Sequence, residues 1–306
     1  MAAAVRCRLF GLVDVGDAAL WRRAPCSLHV GCRKKSTQYL NRPNLPKLAY
    51  KRTKGRNPGV LFLPGFASTM KADKALALEE FCKSLGHSFV RFDYTGCGES
   101  GGNFSECTIG QWKKDVLSLL DELTEGPQFQ NNKKGKGPEA KVWAPCMILV
   151  GSSLGGWLML LAAIARPERV VALVGIATGA DYLVTAFRQL PLETKKEIEE
   201  KDEWYLPNKQ KEAGFYKIPY SFIKEAENHC VLHSTIPITC PVRLIHGMED
   251  EHIPWQISLK VAENLLGSDV DLILRKQGQH RMAEKDDVKL IVYTIDDLID
   301  KLSTLA

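Results

Sequence analysis

The sequence predicts an α/β fold: a mostly parallel sheet with helices on both faces and a helical cap inserted between two strands. Three observations carry this expectation. Short apolar runs bounded by glycine or proline alternate with longer stretches of helical periodicity. The alternation continues to the end of the chain, interrupted by an amphipathic, Lys- and Glu-rich segment and by a shorter stretch without periodicity. Strands that read as continuous apolar runs are covered on both faces, as in parallel sheets.

The elements follow in order. Val60-Leu-Phe-Leu63, between Gly59 and Pro64, reads as a buried strand. Leu78, Phe81, Cys82 and Leu85 share one helical face, and Gly86 is positioned to end that helix. Ser88–Phe92 is the next strand. Ile109, Trp112, Val116, Leu119, Leu120 and Leu123 form the next helical stripe. Met147–Val150 reads as a strand, Leu154–Ala165 as an apolar helix stopped before Pro167, and Val170–Val174 as a strand. After the interruption come a Val242–Ile245 strand, a helix around 259–266, a Val270–Leu274 strand and a last helix with Ile291, Ile295, Leu298 and Ile299 inward.

This divides the 306 residues into four parts. Residues 1–40 are expected to be a mitochondrial transit peptide and linker, with Asn41–Pro46 a proline-punctuated connection. Residues 41–180 and 237–306 form the α/β core, and 181–236 the helical cap, with no clear strand inside it. Residues 125–146 lack periodicity and contain Lys133-Lys-Gly-Lys-Gly, so a flexible exposed insertion is expected there.

Composition narrows the function. The net charge of +5 lies entirely in residues 1–35, where seven Arg and Lys face only Asp14 and Asp17. An Arg-rich, acid-poor leader with interspersed apolar residues fits an organelle transit peptide, not a secretory signal. The balanced remainder carries no nucleic-acid footprint. The longest apolar run, Trp157–Ala165, is nine residues, and a helix needs about 20 to span a bilayer, so no transmembrane segment is expected. Nine cysteines, an odd number without any C-x-x-C pair, argue for reduced thiols and against a zinc site. No metal-ligand cluster or phosphate loop occurs, and no cofactor is expected.

The chemistry centres on Gly151-Ser-Ser-Leu-Gly155. It matches G-x-S-x-G between a strand and a helix, the setting in which a serine hydroxyl is presented on a sharp turn at the sheet's carboxyl edge. The register selects Ser153 as nucleophile and gives Ser152 a structural role. A serine needs a base, and the base an orienting acid, in the chain order Ser, acid, His. His280 follows the last strand and can reach the same edge. His246 and His252 lie too close to the acid in sequence, and His87 is on the wrong side. Glu249, Asp250 and Glu251 compete as the acid; only Asp250 fits the G-x-x-D-x-x-[VI]-P arrangement, here Gly247–Pro254. Two N–H groups are needed for an oxyanion. Leu154, directly after the nucleophile, offers one, and Phe66 in Pro64-Gly65-Phe66 the other. Asp93-Tyr-Thr-Gly-Cys-Gly-Glu-Ser100 reads as a structural turn.

These motifs resemble the α/β-hydrolase superfamily over residues 47–304. Several longer blocks, among them Leu40–Pro46, Glu79–His87, Val150–Met159, Tyr220–Glu227 and Tyr293–Thr304, resemble a mitochondrial branch of abhydrolase-domain proteins known as palmitoyl-protein thioesterases and acyl-glucuronide esterases. The resemblance implies a mitochondrial address, the triad Ser153, Asp250 and His280, and both activities, with S-acylated proteins and small acyl glucuronides as substrates. Two alternatives stay open: a serine hydrolase of another specificity, lipase or peptidase, and a non-catalytic hydrolase-fold scaffold.

Overall fold

A computed structural model describes residues 36–124, 147–208 and 214–304. The leader as far as residue 35 and the 125–146 insertion lie outside these residues, so those two expectations have no structural counterpart. Among the described residues ten strands occur: β1 Gln38–Arg42, β2 Leu45–Thr53, β3 Arg56–Leu63, β4 His87–Phe92, β5 Met147–Ser152, β6 Val170–Ile176, β7 Trp204–Asn208, β8 Gly214–Ile218, β9 Val242–Gly247 and β10 Val270–Arg275. Eight helices accompany them: α1 Asp73–Ser84, α2 Ile109–Thr124, α3 Leu154–Ala165, α4 Tyr182–Arg188, α5 Leu192–Lys201, α6 Tyr220–Glu227, α7 Gln256–Asn264 and α8 Lys285–Thr304.

The main sheet has eight strands in the order β1-β2-β4-β3-β5-β6-β9-β10. From β4 to β10 every neighbouring pair is parallel, while β2 runs antiparallel to both β1 and β4. The central strands β4, β5 and β9 are buried along their whole length; β5 accordingly begins as an unbroken apolar run, whereas β4 and β9 also bury polar side chains such as Arg91 and His246. One core layer packs Val60, Phe62, Val150 and Ile245 against α1 and α8. The other packs Leu61, Leu149 and Leu173 against α2, α3 and the cap. The α1 helix ends at Gly86 (φ +76°), whose N–H bonds the Lys83 carbonyl, a left-handed stop for which glycine is suited.

Three elements differ from the sequence expectation. Residues 38–46, expected as leader end and linker, form β1 and the turn into β2, so the folded core begins by Gln38. Asn44 takes the left-handed conformation at that turn (φ 57°). Pro43 sits just beyond the edge strand, where its missing N–H removes no ladder bond. Arg42 then fixes the hairpin: its guanidinium donates to the Pro46 carbonyl and to Asp115 of α2 at 2.7 Å. The second difference is β2 itself, a mixed polar strand that the apolar pattern did not reveal. The third is in the cap, which contains the antiparallel hairpin β7–β8 besides its helices. Its inner face carries Trp204, Leu206, Tyr216 and Ile218, and its outer face the exposed Tyr205 and Phe215, the period-two alternation of a half-buried ribbon.

The cap is pinned to the core at defined points. Buried Asp181 accepts the N–H groups of Val231 and Leu232 at 2.7–3.0 Å, joining the beginning of the cap to its end. Glu225 of α6 accepts the N–H of Gly110 in α2 at 3.0 Å and a bond from His229 at 2.8 Å. The indole N–H of Trp157 in α3 donates to the His229 carbonyl at 3.0 Å.

Candidate active site

Strand geometry brings the sequence-nominated residues to one edge of the sheet. Ser152, Ile176 and Ile245 are aligned across β5, β6 and β9. The chain leaves these strands in step: Ser153 N–H bonds the Ile176 carbonyl at 2.8 Å, and Ala177 N–H the Ile245 carbonyl at 2.8 Å. Beyond the edge, Gly179 lies between the Ser153 backbone and the side chain of Ile253. The serine turn and the Asp250 loop therefore converge.

Ser153 sits at φ 57°, ψ −119°, between the end of β5 and the first turn of α3. This is costly backbone for a residue with a side chain, of order 1–3 kcal/mol, and it persists because neighbours over-determine it. The Ser153 carbonyl accepts from Gly156 N–H at 2.9 Å and Gly179 N–H at 3.0 Å. The flanking glycines are sterically required. A Cβ on Gly151 would lie 2.4 Å from the Gly155 carbonyl oxygen, and one on Gly155 would lie 2.2 Å from that of Leu63. Ser152 is buried in β5.

His280 Nδ1 donates to Asp250 Oδ2 at 2.7 Å; the Asp250 side chain is fully buried and that of His280 is 20% exposed. Of the three competing carboxylates, Asp250 alone turns inward; Glu249 and Glu251 are exposed. Asp250 Oδ1 accepts the N–H groups of His252 and Ile253 at 2.8 and 2.9 Å. Burial favours the protonated acid, yet hydrogen bonds from His246 and His280, the charge of His280 and the Ile253 amide together hold its pKa well below the usual carboxylate range. Asp250 is thus an anion at any physiological pH. The ring of His252 stacks on His280, with centroids 4.8 Å apart and planes 17° from parallel.

The two candidate oxyanion donors are placed differently. Leu154 is the first residue of α3, so its N–H has no intrahelical acceptor. Phe66 lies in a turn closed by Ser68 N–H on the Gly65 carbonyl, which leaves its own N–H unused by the turn. The Phe66 ring packs edge-on against Phe104 and against Tyr216 of the cap hairpin, both at 5.3 Å, and against Trp112 at 6.0 Å. Phe66, Phe104 and Trp112, with Cys107, Ile218 and Phe222, line a small, mostly apolar cleft between core and cap. A Cβ on Gly65 would fall 3.3 Å from Ser153 Cβ and 3.9 Å from its Oγ. Gly65→Ala is therefore expected to lower turnover about tenfold, in keeping with the sensitivity of rate to sub-ångström misplacement. Its melting temperature should stay within a few degrees of wild type. Steady-state kinetics beside thermal melts check this, and unchanged turnover would remove the close approach as a constraint.

The 93–100 turn is structural, as expected. Asp93 accepts the N–H groups of Met70 and Glu99 at 2.7 and 2.8 Å, and Ser100 Oγ donates to the Asp93 carbonyl at 2.6 Å. Two residues near the site escaped the sequence reading. His246 bonds Asp250 from inside the core. Lys74 of α1 donates its amine to the carbonyl of Arg281, next to His280; burial and the Arg281 charge push its pKa down to about 8. Position at the end of β9 was the available signal for His246; none in the sequence marked Lys74. Among the described residues no cluster of three His, Cys, Asp or Glu could hold a metal ion, and no helix is long and apolar enough to cross a membrane.

A mostly parallel eight-stranded sheet with helices on both faces and a serine elbow at its carboxyl edge is the α/β-hydrolase architecture. Residues 77–301 match the model of the prolyl oligopeptidase family. The chain is 57% identical over 314 residues to the mitochondrial palmitoyl-protein thioesterase ABHD10 of Mus musculus, covering 100% of this chain and 99% of that one. It is 58% identical over 288 residues to the Homo sapiens protein of the same name, covering 94% and 88%. The solved structure of mouse alpha/beta hydrolase domain-containing protein 10 matches with TM-score 0.78 and 61% identity over 88% of this chain and 100% of that one. A hydrolase-like structure from Agrobacterium vitis matches with TM-score 0.74 at 26% identity over 86% and 98%. The chain belongs to the prolyl oligopeptidase family of α/β-hydrolases, within the branch of these mitochondrial relatives. It is a hydrolase, and it is mitochondrial as they are.

Proposed function

We propose that the protein is a serine thioesterase and esterase that removes palmitoyl and other acyl groups from protein cysteines and also hydrolyses acyl glucuronides. The observation that carries the reading is the buried Asp250–His280 bond at the edge where the Ser153 elbow emerges. The relatives' designation as palmitoyl-protein thioesterases supports the thioester preference. The acyl-glucuronide activity rests on the resemblance carried by the sequence blocks and on chemistry: both substrates offer a carbonyl with a good leaving group.

In this mechanism the Ser153 hydroxyl attacks the acyl carbonyl and its proton passes to the free ring nitrogen of His280. Asp250 keeps the imidazole oriented and stabilises the imidazolium. The N–H groups of Leu154 and Phe66 receive the developing oxyanion. The tetrahedral adduct collapses, the C–S or C–O bond breaks, and His280 protonates the departing thiolate or sugar oxygen. Water, deprotonated by His280, then releases the acid and restores Ser153. The 181–236 cap, whose Tyr216 packs on Phe66 beside the elbow, acts in acyl selection. Residues 1–40 supply the import signal, and the residues from Gln38 onward form β1 of the sheet.

A fluorophosphonate probe is expected to label the wild-type protein at Ser153, located by peptide mass spectrometry. Wild-type enzyme should cleave a palmitoyl thioester and an acyl glucuronide at least a hundredfold faster than a matched amide. Labelling elsewhere would move the nucleophile, no labelling would favour the scaffold reading, and comparable amide cleavage would favour a peptidase.

A further inference from the structure

We propose that His246, with Ser258 behind it, is a positioning residue for Asp250; the proposal rests on the Ser153–Asp250–His280 reading above. His246 is the penultimate residue of β9 and is fully buried. Its Nε2 lies 3.0 Å from Asp250 Oδ2 and 3.1 Å from the Ile253 carbonyl oxygen. Both are pure acceptors, so Nε2 carries the proton. In the neutral ring Nδ1 is then an acceptor, and the hydroxyl of Ser258 in α7, also fully buried, stands 2.7 Å from it. The two acceptors at Nε2 set the tautomer, the Ser258 hydroxyl completes it by donating to Nδ1, and the ring thereby aims an N–H at the acid.

The consequence for Asp250 follows from counting its lone pairs. An ionised carboxylate offers about four acceptor sites. Oδ1 takes two backbone N–H groups, from His252 and Ile253, and Oδ2 takes His280 and His246. With all four filled from four directions, the carboxylate cannot turn about its own bond without losing a charge-assisted hydrogen bond in a buried place. That fixes the direction in which His280 is held. A residue there only to fill space would need no donor, and an aliphatic side chain would do.

The second imidazole also competes with the first. It draws charge from Oδ2, the same oxygen that holds the His280 proton. Without it, more of that charge faces the His280 N–H. The other groups facing this carboxylate are Tyr182 of α4 and Lys74 of α1, with His252 stacked on His280. All three remain in the variants below, so a shift can be assigned to His246.

The test uses the full chain, an activated p-nitrophenyl acyl ester, and kcat, KM and the pH profile of kcat/KM. His246→Met, which deletes the donor, is expected to lower kcat about ten- to a hundredfold, the range for losing a hydrogen bond to a charged group. KM should hardly change, and the acid limb should move to higher pH. His246→Gln keeps an amide N–H at the Nε2 position and should recover most of kcat and the original limb. Ser258→Ala should produce a smaller change of the same sign, and thermal melts show which variants are folded. Equal losses in the Met and Gln variants with an unmoved limb would overturn the proposal, as would wild-type behaviour of Ser258→Ala together with His246→Met. Asp250→Asn separates the two levels. Near-wild-type turnover in that variant sinks the triad reading and this proposal with it. An inactive Asp250→Asn beside a fully active His246→Met sinks the positioning role alone.

Discussion

Ser153→Ala is expected to abolish thioester hydrolysis, lowering kcat by about 10⁴-fold or more, the scale on which loss of a nucleophile acts in serine enzymes. The fold should be unaffected. Alanine meets the same positive φ that serine already tolerates, and the carbonyl bonds to Gly156 and Gly179 do not involve the hydroxyl. Thermal melts of the variant should therefore overlay those of wild type, which makes the loss chemical. Ser152→Ala is the control: its side chain is buried within β5, and activity should stay within a few-fold. Turnover of a palmitoyl thioester, measured for both, decides the matter. Near-wild-type activity in Ser153→Ala would reject the mechanism, and a dead Ser152→Ala beside it would move the nucleophile one residue back.

The largest effect on stability is expected at Asp115. Its side chain is fully buried and accepts from Arg42 at 2.7 Å, from Thr95 N–H at 2.7 Å, from Thr95 Oγ1 at 3.0 Å and from Gln111 at 3.1 Å. Burial raises its pKa against the opposing pull of the Thr95 amide and of Arg42. Desolvation therefore outweighs the attraction, and the pair as a whole adds little net stability. Breaking it is another matter. Asp115→Ala leaves the Arg42 guanidinium, 5% exposed, without its counter-charge. Removing one partner of such a pair costs about 3–5 kcal/mol, which for a body of this size lowers the melting temperature by roughly 10 °C. Replacing both residues together, Arg42→Met with Asp115→Leu, should recover most of the loss. A single variant that melts like wild type, or a double variant no better than the single, would contradict this account.

Sequence legibility followed the physics of each element. Strands β3, β5, β6 and β9 were readable because burial on both faces concentrates apolar residues in them, and β10, a part-buried edge strand, from its Leu272–Leu274 run. The elbow was readable because glycines must flank it: side chains at 151 and 155 have nowhere to go. Asp250 was separable from Glu249 and Glu251 by its fit to the G-x-x-D-x-x-[VI]-P arrangement of hydrolases, and the turn after β9 directs only that one of the three inward. The missed features share a cause of their own. β1 and β2 lie at the edge of the sheet, where polar residues and prolines are tolerated and the apolar signal fades. The cap hairpin is five residues a side, too short for its alternation to stand out between helices. His246 was set aside for lying four residues from the acid. That separation crosses the end of a strand, and the turn folds the acid back over the imidazole.

The Asp181 clamp has an evolutionary consequence. A single carboxylate fastens the two mouths of a fifty-residue detour, from position 181 to position 231, so the sheet is shielded from what happens within it. Closing a longer detour costs little: each doubling of its length adds only about 0.6 kcal/mol. Descendants of this chain can lengthen, trim or exchange the excursion while the strand ends that carry Ser153, Asp250 and His280 stay in register. The outer face of the hairpin, with its exposed Tyr205 and Phe215, is thus free to diversify. Lineages that handle different acyl cargoes should differ there first.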